Sequence, residues 1–361
     1  MVKRNKYMNV PEIRFKGLDK TWNKKTLDEL VQLNSGMDYK HLCNGNIPVY
    51  GTGGYMLSVN AALSYDKDAI GIGRKGTINK PYILKAPFWT VDTLFYAIPR
   101  KYNNLQFCNC IFQRIDWLKY DESTGVPSLS KNIINSIEVN CAPSYDEQQK
   151  IASYFQSLDS LIQTTSKKLV SLKQIKDASL QSMFPQEGET VPKVRFKGFE
   201  GEWEKIPFGS FLKESYERST VENEDILLSS AITGVYLNSE LFGHQRGASN
   251  IGYKKIKKNM LILSTQNLHL GNANVNLRFE HGLISPAYKV YEIVNISPLF
   301  LQQWIKMDST KVFFLNATTA GASLCRKNIV WDDLYKQIVL IPSKNEQVKI
   351  GLFFSNLDKQ I

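Results

Sequence analysis

"APSYDEQQKIASYFQSLDSLI" occupies Ala142 to Ile162, and "IPSKNEQVKIGLFFSNLDKQI" occupies Ile341 to Ile361. A phrase written twice, at a spacing of 199 residues, makes the chain a repeat of two units. Each copy has proline, then serine, then glutamate three residues on: Pro143, Ser144 and Glu147, and Pro342, Ser343 and Glu346. This S-x-x-E spacing is the capping box of a helix start. The serine oxygen accepts an orphan backbone N–H and the glutamate reaches back to the cap. Two helices are therefore expected to begin here.

The first of them is long. Apolar or small residues fall at Ile151, Phe155, Leu158, Ile162, Thr165, Leu169 and Leu172, mostly in steps of three and four, which is a heptad seam. No proline or glycine intervenes before Pro185 and Gly188. From Tyr145 to Phe184 the helix spans about 60 Å. Such a stripe needs a partner helix, and the helix after Ser343 is the one on offer. It is expected to be a short or truncated arm of about five turns, because Ile361 aligns with Ile162.

A second phrase also recurs. "IRFKGLDKTW" covers Ile13 to Trp22 and "VRFKGFEGEW" covers Val194 to Trp203, at a constant spacing of 181 residues. One unit thus reads marker, variable block, marker, which implies a pseudo-twofold molecule. The Arg and Lys of "RFKG" invite a binding reading. Its duplication points instead to a shared scaffold: it marks where each block begins, and Trp22 and Trp203 should anchor in a core.

The blocks carry short β-rich runs. Residues 23–141 contain "IPVYG", "AIGIG", "PYILK" and "TLFYAI"; residues 204–340 contain "DILLSS", "NMLILS", "AYKVYEI" and "QIVLIP". Gly, Asn, Pro and Ser punctuate both, and "LFLQQWIKM" reads as helix. The fold class is α/β (α+β): two mixed α/β domains joined by long coiled-coil helices. The expected boundaries are 1–143, 144–190 for the helix and linker, 191–342, and 343–361 for the start of the second helix.

Composition narrows the function. The formal net charge is +11, and the apolar fraction of 43% supports packed cores. A basic surplus favours nucleic acid or an anionic membrane. "MVKRNKYMNVPEIRFKG" has no apolar run behind its charges, and no stretch of about 18 apolar residues occurs, so neither a secretory signal nor a spanning helix is read. Five scattered cysteines (Cys43, Cys108, Cys110, Cys141, Cys325) suit a reducing cytoplasm better than a disulfide framework. Cys108 and Cys110 are too close for a zinc knuckle, and the four histidines form no HxxxH pair, so no metal site is expected.

"GIGRKG", Gly71 to Gly76, matches the G-x-G-x-x-G pattern of dinucleotide sites, but "TINKPYILK" follows where a helix should open. The better account is a glycine turn that thrusts Arg74 and Lys75 outward toward a phosphate strand, with Thr77 and Lys80 beside them. "NIPVYGTGGYM", Asn46 to Met56, offers Tyr50, Tyr55 and Thr52 as groove-lining groups. In the second block the cations are Arg246, Lys254 and Lys257. The amides Gln266, Asn267 and Asn272 are of the kind that pairs with adenine edges. "NKPY", Asn79 to Tyr82, comes near the Asn/Asp-Pro-Pro-Tyr/Phe motif of amino-methyltransferases, with Lys80 replacing the first proline. No phosphate loop, nucleophile elbow or HExxH helix appears.

The chain resembles the specificity (S) subunits of type I restriction–modification systems, the HsdS family. Carrying the resemblance are "VPEIRFKGLDKTW", "VPKVRFKGFEGEW", the two S-x-x-E phrases, "LKQIKDASLQSMFP", "GRKGT" (Gly73 to Thr77) and "SPAYKVYEI" (Ser285 to Ile293). It implies two target-recognition domains, each reading one half of a split double-stranded DNA sequence. It also implies two methyltransferase subunits docked on the helices, here through Ile151, Phe155, Leu158, Ile162, Leu169 and Leu172, and motor–nuclease subunits that cut unmethylated DNA. S-adenosylmethionine belongs to the methyltransferase partner, and no cofactor is expected in this cytoplasmic, non-catalytic chain. A rigid helix suits half-sites about 34 Å apart, and divergent blocks predict an asymmetric target. The competing readings are an enzyme using Gly71–Gly76 or Asn79–Tyr82, and a helical scaffold whose charge is incidental.

Overall fold

The structure, a computed structural model, describes residues 11–242, 249–323 and 326–361. Its residues cluster into two compact units, Met1–Thr165 and Ser166–Ile361.

In the first unit, β1 (Asn23–Thr26) pairs antiparallel with β9 (Glu138–Cys141), so the ends of the variable block meet. A short helix α1 (Leu27–Leu30) buries Leu27 and Leu30 and leads into β2 (Val31–Ser35). The main antiparallel sheet runs β2, β8 (Leu94–Pro99), β5 (Ala69–Gly73), β6 (Tyr82–Leu84). A smaller sheet joins the hairpin β3 (Asn44–Gly51) and β4 (Gly54–Val59) to β7 (Trp89–Thr90). Helices α2 (Leu105–Arg114) and α3 (Lys131–Ser136) cover the main sheet, burying Phe107, Phe112 and Ile134 with Trp117. Their N-caps, Asn104 and Ser130, accept from the backbone of Phe107 and Ile133.

Helix α4 (Tyr145–Ser182) is unbroken over 38 residues, about 57 Å. Met183, Phe184 and Pro185 end it.

The second unit repeats the plan where the sequences do not match. β10 (Glu204–Pro207) pairs with β21 (Ile338–Ile341), again joining the block's ends. The main sheet runs β11 (Leu212–Glu214), β18 (Tyr288–Ile293), β15 (Leu261–Ser264), β16 (Ala273–Val275), the same order of first, last and middle strands. Additional pairs are the hairpin β12 (Leu228–Ala231) and β13 (Gly234–Leu237), then β14 (Lys254–Lys257) with β17 (His281–Ile284), and β19 (Thr318–Ser323) with β20 (Arg326–Ile329). Helices are α5 (Asn238–Phe242), α6 (Pro298–Ile305), α7 (Asp308–Leu315), α8 (Trp331–Lys336) and α9 (Lys344–Asp358). Each β-rich run named above overlaps one of these strands, and "LFLQQWIKM" lies across α6.

The markers interlock in a way the capping-box reading does not anticipate. Ser144 Oγ accepts from Glu147 N at 3.2 Å. The Glu147 carboxylate, however, does not return to the cap. It accepts Arg14 Nε at 2.7 Å, Arg14 Nη2 at 2.8 Å and Trp22 Nε1 at 2.9 Å. In the second unit Glu346 accepts Arg195 Nε at 2.6 Å and Nη2 at 2.8 Å, while Ser343 makes no side-chain cap. Both carboxylates are 1% exposed. The carboxylate hydrogen bond raises each arginine's pKa further. "RFKG" is thus an arginine clasp on the helix start, bidentate and dry. Next to each glutamate, Gln148 and Gln347 accept the backbone N–H that opens α2 (Asn104) and α6 (Ser297).

A buried pair of this kind punishes removal of one partner more than removal of both. Glu346→Leu and Arg195→Met are each expected to lower the urea midpoint sharply. The double substitution should recover a large part of the loss, as measured by a double-mutant cycle.

The long seam departs from expectation. α9 directs Ile350, Phe354 and Leu357 into its own unit, where its Gly351 lies so close to α6 that a Cβ would stand 2.7 Å from Leu299 Cβ. Leu180 of α4, with Met183 and Phe184 just beyond its end, joins α9 in one core, and Lys176 is bonded to Asp358 at 2.6 Å. Of the seam residues, Ile151 packs on the first unit's core, and Leu158, Leu169 and Leu172 are half-buried. Phe155 and Ile162 are exposed. α9 is therefore a core helix of its unit, and the expectation that it zips along the seam is corrected.

Candidate nucleic-acid interface

In the first unit two glycine turns converge. The tip of the β3–β4 hairpin is Gly51-Thr52-Gly53-Gly54, with Gly54 at φ +108°. The turn after β5 holds Arg74, Lys75 and Gly76, the last at φ +92°. A Cβ on Gly76 would stand 3.8 Å from Thr52 Oγ1, so the turns are neighbours. A Cβ on Gly73 would stand 2.1 Å from Thr77 O, which is why this fold-back requires glycine. The turn is stapled on both sides: Arg74 N donates to Thr93 O at 2.8 Å, Gly76 N to Pro127 O at 2.8 Å, and Leu129 N to Arg74 O at 2.9 Å.

Arg74 and Lys75 line a cleft of about 440 Å³ with Ser35, Phe95, Ser128 and Lys131, and Glu122 also borders it. The Arg74 guanidinium lies 5.8 Å from the Phe95 ring centroid. Arg74, Lys75 and Lys80 are exposed, Thr52 and Thr77 half-buried. Among the described residues none of these three cations has a carboxylate partner. Fixed backbone with unneutralised cations is what a phosphate strand requires. Lys131, Phe95 and Ser128 escaped the sequence reading because distant segments bring them here: the Lys75–Ser128 bridge carries Ser128 and Lys131, and the β5–β8 pairing sets Phe95 opposite Ile72.

Tyr50 is corrected from groove lining to support. Its ring packs 6.2 Å from Tyr82 and 6.4 Å from Tyr55, and Tyr55 is the exposed tyrosine. Tyr82 donates to Gly51 O at 2.6 Å, and burial pushes its hydroxyl pKa up. The aromatic residue of "NKPY" therefore holds the hairpin tip, and β6 rather than a helix follows "GIGRKG".

The second unit overturns more. Lys254 is 6% exposed, faces Glu214 at 4.0 Å, and burial lowers its pKa. Lys257 pairs with Glu217 at 3.4 Å, Lys255 with Glu224 and Lys258 with Glu280. The "YKKIKK" cluster is thus neutralised by four glutamates from other segments. Lys254 is excluded as a DNA contact and Lys257, though exposed, is already paired. Asn272 is also excluded: it is 5% exposed, donates to Asn267 Oδ1 at 3.1 Å and accepts from Ser230 Oγ at 3.2 Å. It belongs to a buried polar network with Asn274, whose amide donates to Ser230 Oγ and Ala231 O, both at 2.7 Å. Lys306 completes it, donating to Ile232 O, Ala273 O and Asn274 Oδ1. Burial, with Lys176 and Lys311 nearby, lowers the Lys306 amine to about 8. The network fixes the β12–β13 turn, where Ile232 and Thr233 are exposed. Gln266 stays exposed and Asn267 half-buried. Arg246, with His244 and Cys325, lies outside the described residues.

Among the described residues no group of His, Cys, Asp and Glu has metal-site geometry, and no helix is long and apolar enough to cross a membrane.

Residues 19–174 match the family model described as type I restriction modification DNA specificity domain. Among solved structures, the type I restriction-modification system S subunit from M. genitalium is similar at 14% identity and TM-score 0.58, over 98% of this chain and 93% of that one. An HsdS subunit from Thermoanaerobacter tengcongensis matches at 13% identity and TM-score 0.41, over 94% and 89%. A comparison with curated proteins gives no match. The M. genitalium likeness speaks for the fold, and the family model speaks for what the first unit is. That model covers residues 19–174, and the same markers and strand order recur in the second unit.

Proposed function

We propose that the two units read the two unlike halves of a split DNA target, and that the chain itself does no chemistry. The observation that carries the reading is the meeting of the Gly51–Gly54 tip with the Arg74–Lys75 turn. Cations held on stapled backbone bind phosphate and set register, and the side chains beside them reach base edges. In this reading the cytoplasmic partners are two methyltransferase subunits, which bring S-adenosylmethionine, and motor–nuclease subunits. The exposed Phe155 and Ile162 of α4 suit such docking.

The test is a base-resolution map of adenine methylation in cells that express the chain with its methyltransferase partner. The expected result is a split asymmetric motif. Gln266→Ala should relax one half and leave the other intact. A contiguous motif, or one unchanged in sequence and rate by both Gln266→Ala and Arg74→Ala, overturns the assignment. Methylation of DNA by the purified chain alone overturns the non-catalytic reading.

A further inference from the structure

A hairpin follows the first strand of each main sheet, and the two hairpins close in the same register. In the first unit Gly51 pairs with Gly54, leaving Thr52 and Gly53 at the tip. In the second Ala231 pairs with Gly234, leaving Ile232 and Thr233. Each tip hangs on the edge strand of its main sheet. Tyr82 of β6 donates to Gly51 O at 2.6 Å, and Asn274 of β16 donates to Ala231 O at 2.7 Å. The strands β5 and β15, which hold the same place in the two sheets, lead into the turns that carry Arg74 and Gln266. Ile232 thus stands where the first unit has Thr52, and Gln266 stands on the counterpart of the Arg74 turn.

What the tips present differs. Hairpin tips of this length are ordinarily Asn-Gly or another glycine-containing pair. The second unit instead sets a β-branched apolar residue at the apex: Ile232 is 48% exposed, with Thr233 exposed beside it. The backbone beneath is tightly held. Lys306 Nζ donates to Ile232 O at 2.7 Å, Ala273 O at 2.9 Å and Asn274 Oδ1 at 2.6 Å, and has no carboxylate partner among the described residues. A desolvated cation without a counter-ion is costly. What it secures here is the carbonyl of an isoleucine that points into solvent.

We infer that Ile232 is a specificity-determining residue of the second unit, making apolar contact with the C5 methyl group of a thymine. The inference rests on the reading of the two units as readers of DNA. The thymine methyl is the apolar feature that the major groove offers, and aliphatic side chains recognise it. A phosphate oxygen offers isoleucine nothing. Asn272 ties the tip to the amide that faces the same half-site: it accepts from Ser230 Oγ at 3.2 Å and donates to Asn267 Oδ1 at 3.1 Å, next to exposed Gln266. Lys327 supplies charge beside them. Its backbone N–H donates to Gln266 O at 3.2 Å, and its amine has no ion pair among the described residues. The first unit therefore leans on Arg74 and Lys75, and the second on an apolar contact, so the two halves are unlike in chemistry as well as in sequence.

The test uses the full chain assembled with its methyltransferase partner, and duplexes of the mapped target. Each thymine in turn is replaced by deoxyuridine, which removes the C5 methyl group and keeps every base-pairing hydrogen bond. One thymine, in the half-site that Gln266→Ala relaxes, should lose about fourfold in affinity, the worth of one buried methyl group. Ile232→Ala should bind the native duplex at least as weakly as the unaltered chain binds that deoxyuridine duplex, at an unchanged urea midpoint. Deoxyuridine at the same position should then cost the variant nothing further, and the other half-site should be read alike by both chains. Absence of a split motif overturns the DNA-reading proposal and this inference with it. A split motif with no methyl-sensitive thymine, sensitivity that survives Ile232→Ala, or a binding loss that tracks a lowered urea midpoint overturns this inference alone.

Discussion

Phe184→Ala is expected to lower the unfolding free energy by about 3–5 kcal/mol, the range for deleting a buried aromatic ring. Phe184 is 1% exposed and has three aromatic neighbours, Trp203, Phe300 and Phe354. Its loss leaves a cavity that two helices and the repeated Trp marker all border, so collapse around it is hindered. Equilibrium urea unfolding followed by tryptophan fluorescence reads the change, since Trp203 and Trp304 lie in the same core. Phe155→Ala removes the same ring from the equivalent of Phe354. It should cost far less, because 45% of Phe155 is exposed. Equal costs would mean that Phe155 is covered in the free chain.

The frame of this molecule was legible in its sequence because it is written twice. Both helix starts, the unbroken α4 and a strand at each named β-rich run follow from spacing and residue pattern, although of the two capping boxes only the Ser144 cap forms. What spacing could not show was partners distant in sequence. Glu147 looks like a capping residue from its local context, and only the fold brings Arg14 to it from 133 residues away. The same blindness governs "YKKIKK". A run of lysines reads as free charge until Glu214, Glu217, Glu224 and Glu280 are placed beside it. The amides of "STQNLHLGNANVN" divide for a similar reason. Asn272, just before β16, and Asn274 within it lie in the interior, while Gln266 on the preceding loop stays outside. By contrast the Arg74 turn was readable, because glycine on both sides dictates the backbone and, among the described residues, no carboxylate forms an ion pair with its cations, although Glu122 borders the cleft.

Replacing Arg74 and Lys75 together by alanine is expected to reduce target binding about 10- to 100-fold at moderate salt. If both groups neutralise phosphates, the slope of log affinity against log salt falls by about 1.8, at about 0.9 per contact. If Arg74 instead pairs with a guanine edge, the loss is about 1–3 kcal/mol and is concentrated on one base of one half-site. Fluorescence anisotropy across a salt series separates the two, using the native target and single-base variants. The comparison that gives the result meaning is Lys255→Ala with Lys257→Ala and Lys258→Ala in the second unit. Those three cations each already have a glutamate, so releasing them also unmasks Glu224, Glu217 and Glu280. Their removal should cut binding through repulsion by the freed carboxylates, and adding Glu217→Gln, Glu224→Gln and Glu280→Gln should return it to the starting level. No such rescue is available at Arg74 and Lys75, which have no ion-paired carboxylate to unmask among the described residues. A loss there that followed neither salt nor base identity would show that the turn supports the fold of the first unit and does not touch DNA.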